Sequence, residues 1–165
     1  MTSATQAVFF YTPKYREFDY GPSHPMKIRR LTLTHDLIHA YGLFHSAHTQ
    51  LADVPIATED ELSCIHTKEY LDVLREASAG ASVPRAWHFG LGTSDNPIFE
   101  GVYAWSTLLT GASLEAARLL AAGETPRAFN IAGGLHHAAS GRASGFCYIN
   151  DAAVAIRFLI DHGLR

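Results

Sequence analysis

Two adjacent histidines, His136 and His137, are the residues of this 165-residue sequence best suited to chemistry. They follow Gly133 and Gly134 in the stretch GGLHHAASGRASGFCYIND. Neighbouring side chains of an extended chain point to opposite sides, so both rings share one site only if the backbone turns sharply, as glycine permits. Imidazole titrates near neutral pH, so the pair could transfer protons or face a metal-bound water. Alternatively, one ring is a core histidine bonded to a backbone carbonyl and the other is a surface residue.

The same stretch continues into Gly145, Phe146 and Cys147. Gly145 would let the backbone approach a ligand, and Phe146 would form an apolar wall. Residues of these types also begin packed core segments, and taken alone they favour that interpretation. No electropositive surroundings mark Cys147 as a nucleophile.

A second histidine pair occurs in HDLIH, where His35 and His39 have the i, i+4 spacing of the zinc-protease helix. Asp36 stands where that motif has glutamate, and its shorter side chain would reach a metal-bound water poorly. No third ligand is evident, and catalytic zinc usually has three protein ligands. A metalloprotease using His35 and His39 is therefore a remote alternative.

Composition indicates a globular, cytoplasmic protein. The sequence is 47% hydrophobic and 18% charged, with no repeat and no run of like charges. Its net charge of −3 argues against a nucleic-acid-binding surface. Two distant cysteines fit a reducing compartment, and no segment has the apolar length of a signal peptide or a membrane helix.

The first half of the sequence predicts an alternation of strands and helices. AVFFY at 7–11 predicts a buried strand, and the apolar spacing over 28–41 predicts a helix that Gly42 ends. A short strand is expected at 54–57. Thr58 and Glu61 then have capping-box spacing at the start of a helical hairpin, whose second helix is expected over 67–77.

The second half positions the histidines. A long loop over 79–97 precedes a helix expected at 98–122, a buried strand at 127–132 and a helix at 151–162. This alternation predicts an α/β domain with a mainly parallel sheet, in which sites form at the carboxyl ends of strands. The His-His loop follows the strand at 127–132 directly. A further parallel strand is expected after the last helix, so we interpret residues 1–165 as the amino-terminal portion of one domain.

GGLHHAASGRASGFCYIND resembles the signature of the zinc-dependent histone deacetylase superfamily, which includes acetoin-utilisation proteins and acetylpolyamine amidohydrolases. YGPSHPMKIRRLTLTHDLIHAYGL, IHTKEYLDVL and TSDNPIFEGVYAWS are similar to further blocks of that family, in the same order. The resemblance implies an arginase-like, three-layer α/β fold with a central parallel sheet. It also implies hydrolysis of acetyl-lysine or a related small acetylamide.

The resemblance assigns a role to each candidate site residue. His137 would be the general base and His136 would stabilise charge, while Gly145 and Phe146 would line the substrate tunnel with Cys147 deeper. Asp95 would accept hydrogen bonds from the substrate backbone at the rim. An internal cavity below the metal would be formed by residues matching Arg30, Gly133 and Gly134.

The resemblance also implies zinc, but the family's zinc ligands and its transition-state tyrosine would lie beyond residue 165. We therefore expect no metal ligands within residues 1–165 and no turnover by this chain alone. The alternative that remains is a non-catalytic module that binds acetylated ligands or partners.

Overall fold

The computed structural model describes residues 7–164, which contain a parallel three-stranded sheet in the order β2-β1-β3. The strands are β1 (Ala7–Phe10), β2 (Thr49–Ala52) and β3 (Ala128–Asn130). Phe9 of β1 pairs with Leu51 of β2 on one side and with Phe129 of β3 on the other. The predicted α/β class and parallel sheet are confirmed.

Five α-helices are present in the described part of the chain: α1 (Arg29–Ala40), α2 (Glu59–Leu62), α3 (Lys68–Ser78), α4 (Val102–Ala121) and α5 (Asp151–Asp161). Their ends follow the sequence signals. Thr58 and Glu61 form the predicted capping box at α2. Gly42 after α1 and Gly163 after α5 adopt positive φ angles of 69° and 81°, which glycine tolerates at helix ends.

Side chains alternate across β1, because successive residues of a strand face opposite sides of the sheet. Val8 and Phe10 are buried, whereas Phe9 lies on the other face with its ring 5.4 Å from that of Phe129 and 5.3 Å from that of Phe44. The long helix α4 contacts β3, α3 and α5, so it joins the sheet to both of these helices.

Gly111 explains the small residues of α4. A Cβ atom at this position would lie 1.9 Å from the carbonyl oxygen of Pro55. The helix therefore approaches the 55–57 segment more closely than any side chain allows, and the backbone N–H of Ala57 donates to the carbonyl of Thr107 at 3.0 Å.

Two expectations for the strands are wrong. Residues 54–57 form no strand; the strand lies at Thr49–Ala52, and Val54 and Ala57 are instead buried in an irregular segment against α4. The strand near 127–132 is shorter than expected, and its central residue Phe129 is 57% exposed rather than buried.

Within residues 7–164, no helix combines the length and the apolar character that crossing a membrane requires.

Candidate active site

The His-His loop begins where β3 ends, at the carboxyl edge of the sheet. Gly133 packs against three polar groups there, since a Cβ atom would lie 2.7 Å from side-chain atoms of Asn130, Ser113 and Asp151. Gly134 has a φ of 87°, which turns the chain sharply before the histidines. Both glycines are thus required for the turn that the sequence predicted.

Asp151 holds this turn from the first residue of α5. Its buried carboxylate accepts the backbone N–H groups of Gly134 at 3.0 Å and Leu135 at 2.7 Å, and it also accepts the Ser113 hydroxyl. A carboxylate at a helix N-terminus is further stabilised by the helix dipole. The loop is therefore attached to α5 through charge-assisted hydrogen bonds.

Asn150, the N-cap of α5, holds the next part of the loop. Its side-chain N–H groups donate to the carbonyls of His136 at 3.2 Å and Ala138 at 3.0 Å, while its Oδ1 accepts the N–H of Ala153 at 2.9 Å. Asn150 and Asp151 together contact the loop over residues 134–138.

This backbone brings the two imidazoles together. The ring centroids of His136 and His137 are 4.3 Å apart at an angle of 40°, and both residues are exposed. Nδ1 of His136 lies 3.0 Å from the carbonyl oxygen of Gly134. Because a carbonyl only accepts, Nδ1 carries a proton and Nε2 faces away from the loop, available for chemistry.

Gly145 lies beside His137, and Phe146 follows Gly145 in the chain. A Cβ atom on Gly145 would lie 2.9 Å from Cγ of His137, so only glycine allows the ring this close. Phe146 has a φ of 72°, the only positive φ outside glycine among residues 7–164. The Tyr20 hydroxyl donates to its carbonyl at 2.8 Å and maintains this conformation.

Phe146 forms one wall of a cavity of about 350 Å³. Tyr20 and His24 form another part of it; the His24 ring lies 4.7 Å from that of Phe146 and 4.8 Å from that of Tyr20. Asp95 borders the same cavity and is exposed. The volume is within the range of small-ligand sites, about 300–1,000 Å³.

The loop that carries Asp95 is attached to the Phe146 segment. The buried side chain of Asn96 donates to the Cys147 carbonyl at 3.1 Å, and Nε2 of His24 lies 3.1 Å from the Asp95 carbonyl. Since the backbone N–H of Met26 donates to Nδ1 of His24 at 3.0 Å, Nε2 is the protonated nitrogen that donates to Asp95. The segment that contains Asp95 is therefore held by both neighbouring segments.

Cys147 is buried and its thiol donates to the Gly145 carbonyl at 3.3 Å. Burial raises the pKa of this thiol, and the backbone N–H of His137 only partly offsets that effect. Cys147 is thus a neutral thiol at pH 7, unsuited to nucleophilic attack.

The other predicted residues lie on α1. Arg30 is exposed on its first turn, with Nη2 located 3.7 Å from the Met26 sulfur. His35 stacks on Tyr11 at 3.9 Å and bonds to Asp36 at 3.0 Å, and its ring centroid lies 6.3 Å from that of His39. No group of three or more His, Cys, Asp or Glu residues within 7–164 is arranged to hold a metal ion.

The residues that support the site were not predicted from the sequence. Asn150, Asp151, Tyr20 and His24 were not singled out as site residues. His66, which is buried, was also missed: its Nε2 accepts the backbone N–H of Asn150 at 3.0 Å, and its Nδ1 lies 3.2 Å from the Ser140 carbonyl. In the sequence, these supporting residues differ from their neighbours only in being polar residues within or beside apolar segments.

Comparison with known proteins gives concordant results. The sequence model of the family described as "Histone deacetylase domain" matches residues 24–165. The acetoin utilization protein AcuC of Bacillus subtilis is 38% identical over 154 residues, which cover 93% of this chain and 39% of AcuC. Histone deacetylase RPD3 of Saccharomyces cerevisiae is 36% identical over 163 residues, covering 97% of this chain and 37% of RPD3.

Solved structures agree. A histone deacetylase (HDAC) homologue from Aquifex aeolicus superposes with a TM-score of 0.86 at 34% identity, covering 96% of this chain and 42% of that one. An HDAC homologue in complex with SAHA gives a TM-score of 0.86 at 33% identity over 98% of this chain and 42% of its own. The chain spans about two fifths of the length of these relatives. With the family's sequence model matched from residue 24 onward and its fold reproduced, this chain belongs to the histone deacetylase domain family.

Proposed function

We propose that residues 1–165 are the amino-terminal part of a single deacetylase domain that hydrolyses acetyl-lysine or a related small acetylamide. The observation that carries the proposal is the adjacency of the two exposed imidazoles to Gly145 and Phe146 at the carboxyl edge of the sheet. Membership of the histone deacetylase family supports this reaction class. We further propose a cytoplasmic protein that does not bind nucleic acid, in keeping with its net charge of −3.

In this proposal the histidines divide the proton and charge chemistry. His137 takes a proton from the water that attacks the amide carbonyl and delivers it to the leaving amine. His136 uses Nδ1–H to hold the Gly134 carbonyl, which directs Nε2 towards the reacting group. As an imidazolium, its Nε2–H would stabilise negative charge developing on the carbonyl oxygen.

The remaining residues bind and orient the substrate. Gly145 and Phe146 form the wall along the lysine methylenes, with the neutral thiol of Cys147 beneath them. Asp95 accepts backbone N–H groups of the substrate at the rim. We assign Arg30, Gly133 and Gly134 to an internal cavity, as the family resemblance implies.

The family resemblance also implies zinc, but the described residues do not form a site for it. No three potential ligands within 7–164 are grouped, whereas catalytic zinc usually has three protein ligands. We propose that polypeptide outside residues 1–165 supplies these ligands. The chain alone is then expected to be inactive and to show no tight one-to-one zinc site by isothermal titration calorimetry.

The decisive experiment starts from the reading frame beyond Arg165. We expect an in-frame continuation that contains Asp-x-His, and we expect the complete polypeptide to release acetate from an acetyl-lysine peptide. His137→Ala should lower kcat by about 10²- to 10⁴-fold, as loss of a general base does. His162→Ala, at an exposed histidine after α5, is the matched control and should leave kcat unchanged.

Two results would contradict the proposal. One is a tight one-to-one zinc site on the 165-residue chain itself; the other is a complete polypeptide whose turnover is unaffected by His137→Ala. Binding of acetyl-lysine peptides without hydrolysis by the complete polypeptide would support the non-catalytic module instead.

A further inference from the structure

A second cavity, of about 250 Å³, also borders the candidate active site. It shares Ser94 and Asp95 with the cavity beside Phe146 and extends to Gly145, which contacts His137. Arg142 lines it and supplies its positive charge. A chain bound with one side chain against Phe146 would therefore place a neighbouring residue near Arg142, since consecutive Cα atoms are only about 3.8 Å apart.

The side chain of Arg142 has no polar partner within residues 7–164. Its guanidinium makes neither an ion pair nor a hydrogen bond there, although the residue is exposed. Arg75, Arg85 and Arg118, in contrast, all pair with glutamates. Arg142 is thus free to bind an anion without breaking an existing contact.

The backbone of Arg142 is nevertheless fixed. Arg142 pairs with Ala139 across a tight turn, with the N–H of Ala139 donating to the Arg142 carbonyl at 2.9 Å. The next N–H, that of Ala143, donates to the Phe89 carbonyl at 2.9 Å. A Cβ atom on Gly90 would lie 2.2 Å from the Ala143 carbonyl oxygen, so the two loops are in close contact. The cation is carried by a rigid segment and requires no loop ordering on binding.

The cavity is lined by one acidic and one basic side chain that are not paired with each other. Asp95 and Arg142 both line it but form no ion pair with each other in the described part of the chain. A guanidinium matches a carboxylate in a bidentate geometry, and the hydroxyls of Ser94 and Ser144 can add hydrogen bonds. The ligand that satisfies this arrangement has N–H donors for Asp95 and a carboxylate for Arg142.

We propose that Arg142 is a specificity-determining residue that recognises an aspartate or glutamate side chain flanking the acetylated lysine. This inference rests on the proposed function, because it takes the acetyl-lysine to lie against Phe146. The site then selects acidic sequences around the lysine: Asp95 binds the peptide backbone and Arg142 binds the flanking carboxylate.

Matched peptides test this directly. Blocked pentapeptides that contain acetyl-lysine with glutamate on one or the other side are titrated into the ¹⁵N-labelled complete polypeptide, prepared metal-free to prevent turnover, together with glutamine counterparts. At the peptide position that lies next to Arg142, we expect the glutamate peptide to bind about two- to fivefold more tightly than the glutamine peptide at low salt, as one exposed ion pair allows. This preference should decrease as salt is added. Blocked termini ensure that a flanking side chain is the only added carboxylate.

Substitution identifies the cation responsible. Arg142→Gln should abolish the preference and Arg142→Glu should reverse it. Arg127→Gln is the control. Arg127 is also exposed, and its guanidinium makes no ion pair or hydrogen bond within residues 7–164, but it precedes β3 and so lies at the amino ends of the strands. This variant should retain the full preference.

The outcomes separate the two proposals. Equal affinities, or a preference that survives Arg142→Gln, overturn the role of Arg142 while shifts at Phe146 and His137 still support the proposed function. Absence of those shifts with every acetylated peptide counts against the proposed function. In that case, NMR shifts at residues 142–145 that the glutamate peptides cause and that disappear in Arg142→Gln would still support a carboxylate site at Arg142. Their absence would overturn both proposals.

Discussion

His66 is a buried imidazole whose neutral form makes both of its hydrogen bonds. Nε2 accepts the N–H of Asn150, so the proton must lie on Nδ1, which faces the Ser140 carbonyl. Burial lowers the pKa of His66 below the usual 6.5, and nearby backbone carbonyls only partly oppose this. Protonation would cost the bond to Asn150, the residue that holds the carbonyls of His136 and Ala138.

This pKa shift predicts a pH-dependent stability. The contribution of His66 is fully present above pH 6.5 and is lost as the pH falls through the lowered folded-state pKa, because the unfolded chain binds the proton first. Within that window, the free energy of unfolding should fall by up to about 1.4 kcal/mol per pH unit. Urea denaturation at a series of pH values between 7.5 and 5 measures it.

Two variants show whether His66 causes the pH dependence of the unfolding free energy. His66→Gln should remove most of the pH dependence, whereas His88→Gln, at an exposed histidine that stacks on Trp87, should preserve it. An unchanged slope in His66→Gln would show that another group is responsible.

At this scale the sequence predicted the placement of the two histidines in one site better than the residues that support them. His136 and His137 are adjacent and preceded by glycines, so a local pattern was sufficient to predict a shared site. His66 acts on Asn150, 84 positions away, and Tyr20 acts on Phe146, 126 positions away. Such roles depend on tertiary contacts that no local spacing encodes. Arg142, an exposed arginine in a polar loop, also carried no signal.

Helix α5 positions the candidate site through its first turn. Asp151 accepts two consecutive loop N–H groups and the Ser113 hydroxyl, which links the loop, α4 and α5. The helix packs against α4, with Val154 buried. The His-His loop is therefore held by a regular element and not by its own residues alone.

Asp151→Asn should weaken this link. The variant removes the charge and places an amide group among three donors, so we expect the free energy of unfolding to fall by about 1–3 kcal/mol. The ¹⁵N resonances of Gly134 and Leu135 should shift as their acceptor changes. Urea denaturation and ¹⁵N NMR measure the two effects.

Asp161→Asn, at an exposed aspartate at the other end of α5, is the control and should change the unfolding free energy by less than about 0.5 kcal/mol. Equal effects of the two variants would contradict the role of Asp151.

Element prediction failed where tertiary packing decides the structure. Val54–Ala57 was expected to be a strand because it is apolar, but Gly111 allows α4 to pack directly on that segment. The strand instead forms at Thr49–Ala52, whose polar Thr49 and Gln50 gave a weaker pattern. The helices were predicted well because capping residues and apolar spacing are local signals.

Across the whole molecule, the two outer strands of the sheet, β2 and β3, each have a single partner among the described residues. β3 pairs only with β1, and Phe129 is 57% exposed. Ile156 and Ile160, one turn apart on α5, are also exposed at 55% and 57%. An exposed strand edge with apolar neighbours is a common route to self-association.

We therefore expect the chain to self-associate in a concentration-dependent manner. Phe129→Lys places a charge on the edge strand and should lower the associated fraction measured by sedimentation velocity. Ile56→Lys, at a similarly exposed apolar residue outside the strands, is the control and should have a smaller effect. A monodisperse monomer at all concentrations, with cooperative unfolding, would contradict this prediction.

The left-handed backbone of Phe146 has a consequence for recognition. A bulky residue at a φ of 72° is strained by roughly 1–3 kcal/mol, and the Tyr20 hydroxyl and the His24 ring keep it there. In the folded protein, the rotation of this aromatic ring is already restricted before a ligand binds. In the proposed function, the bound side chain would therefore avoid the entropic cost of ordering this wall, about 0.5–1.5 kcal/mol per immobilised group.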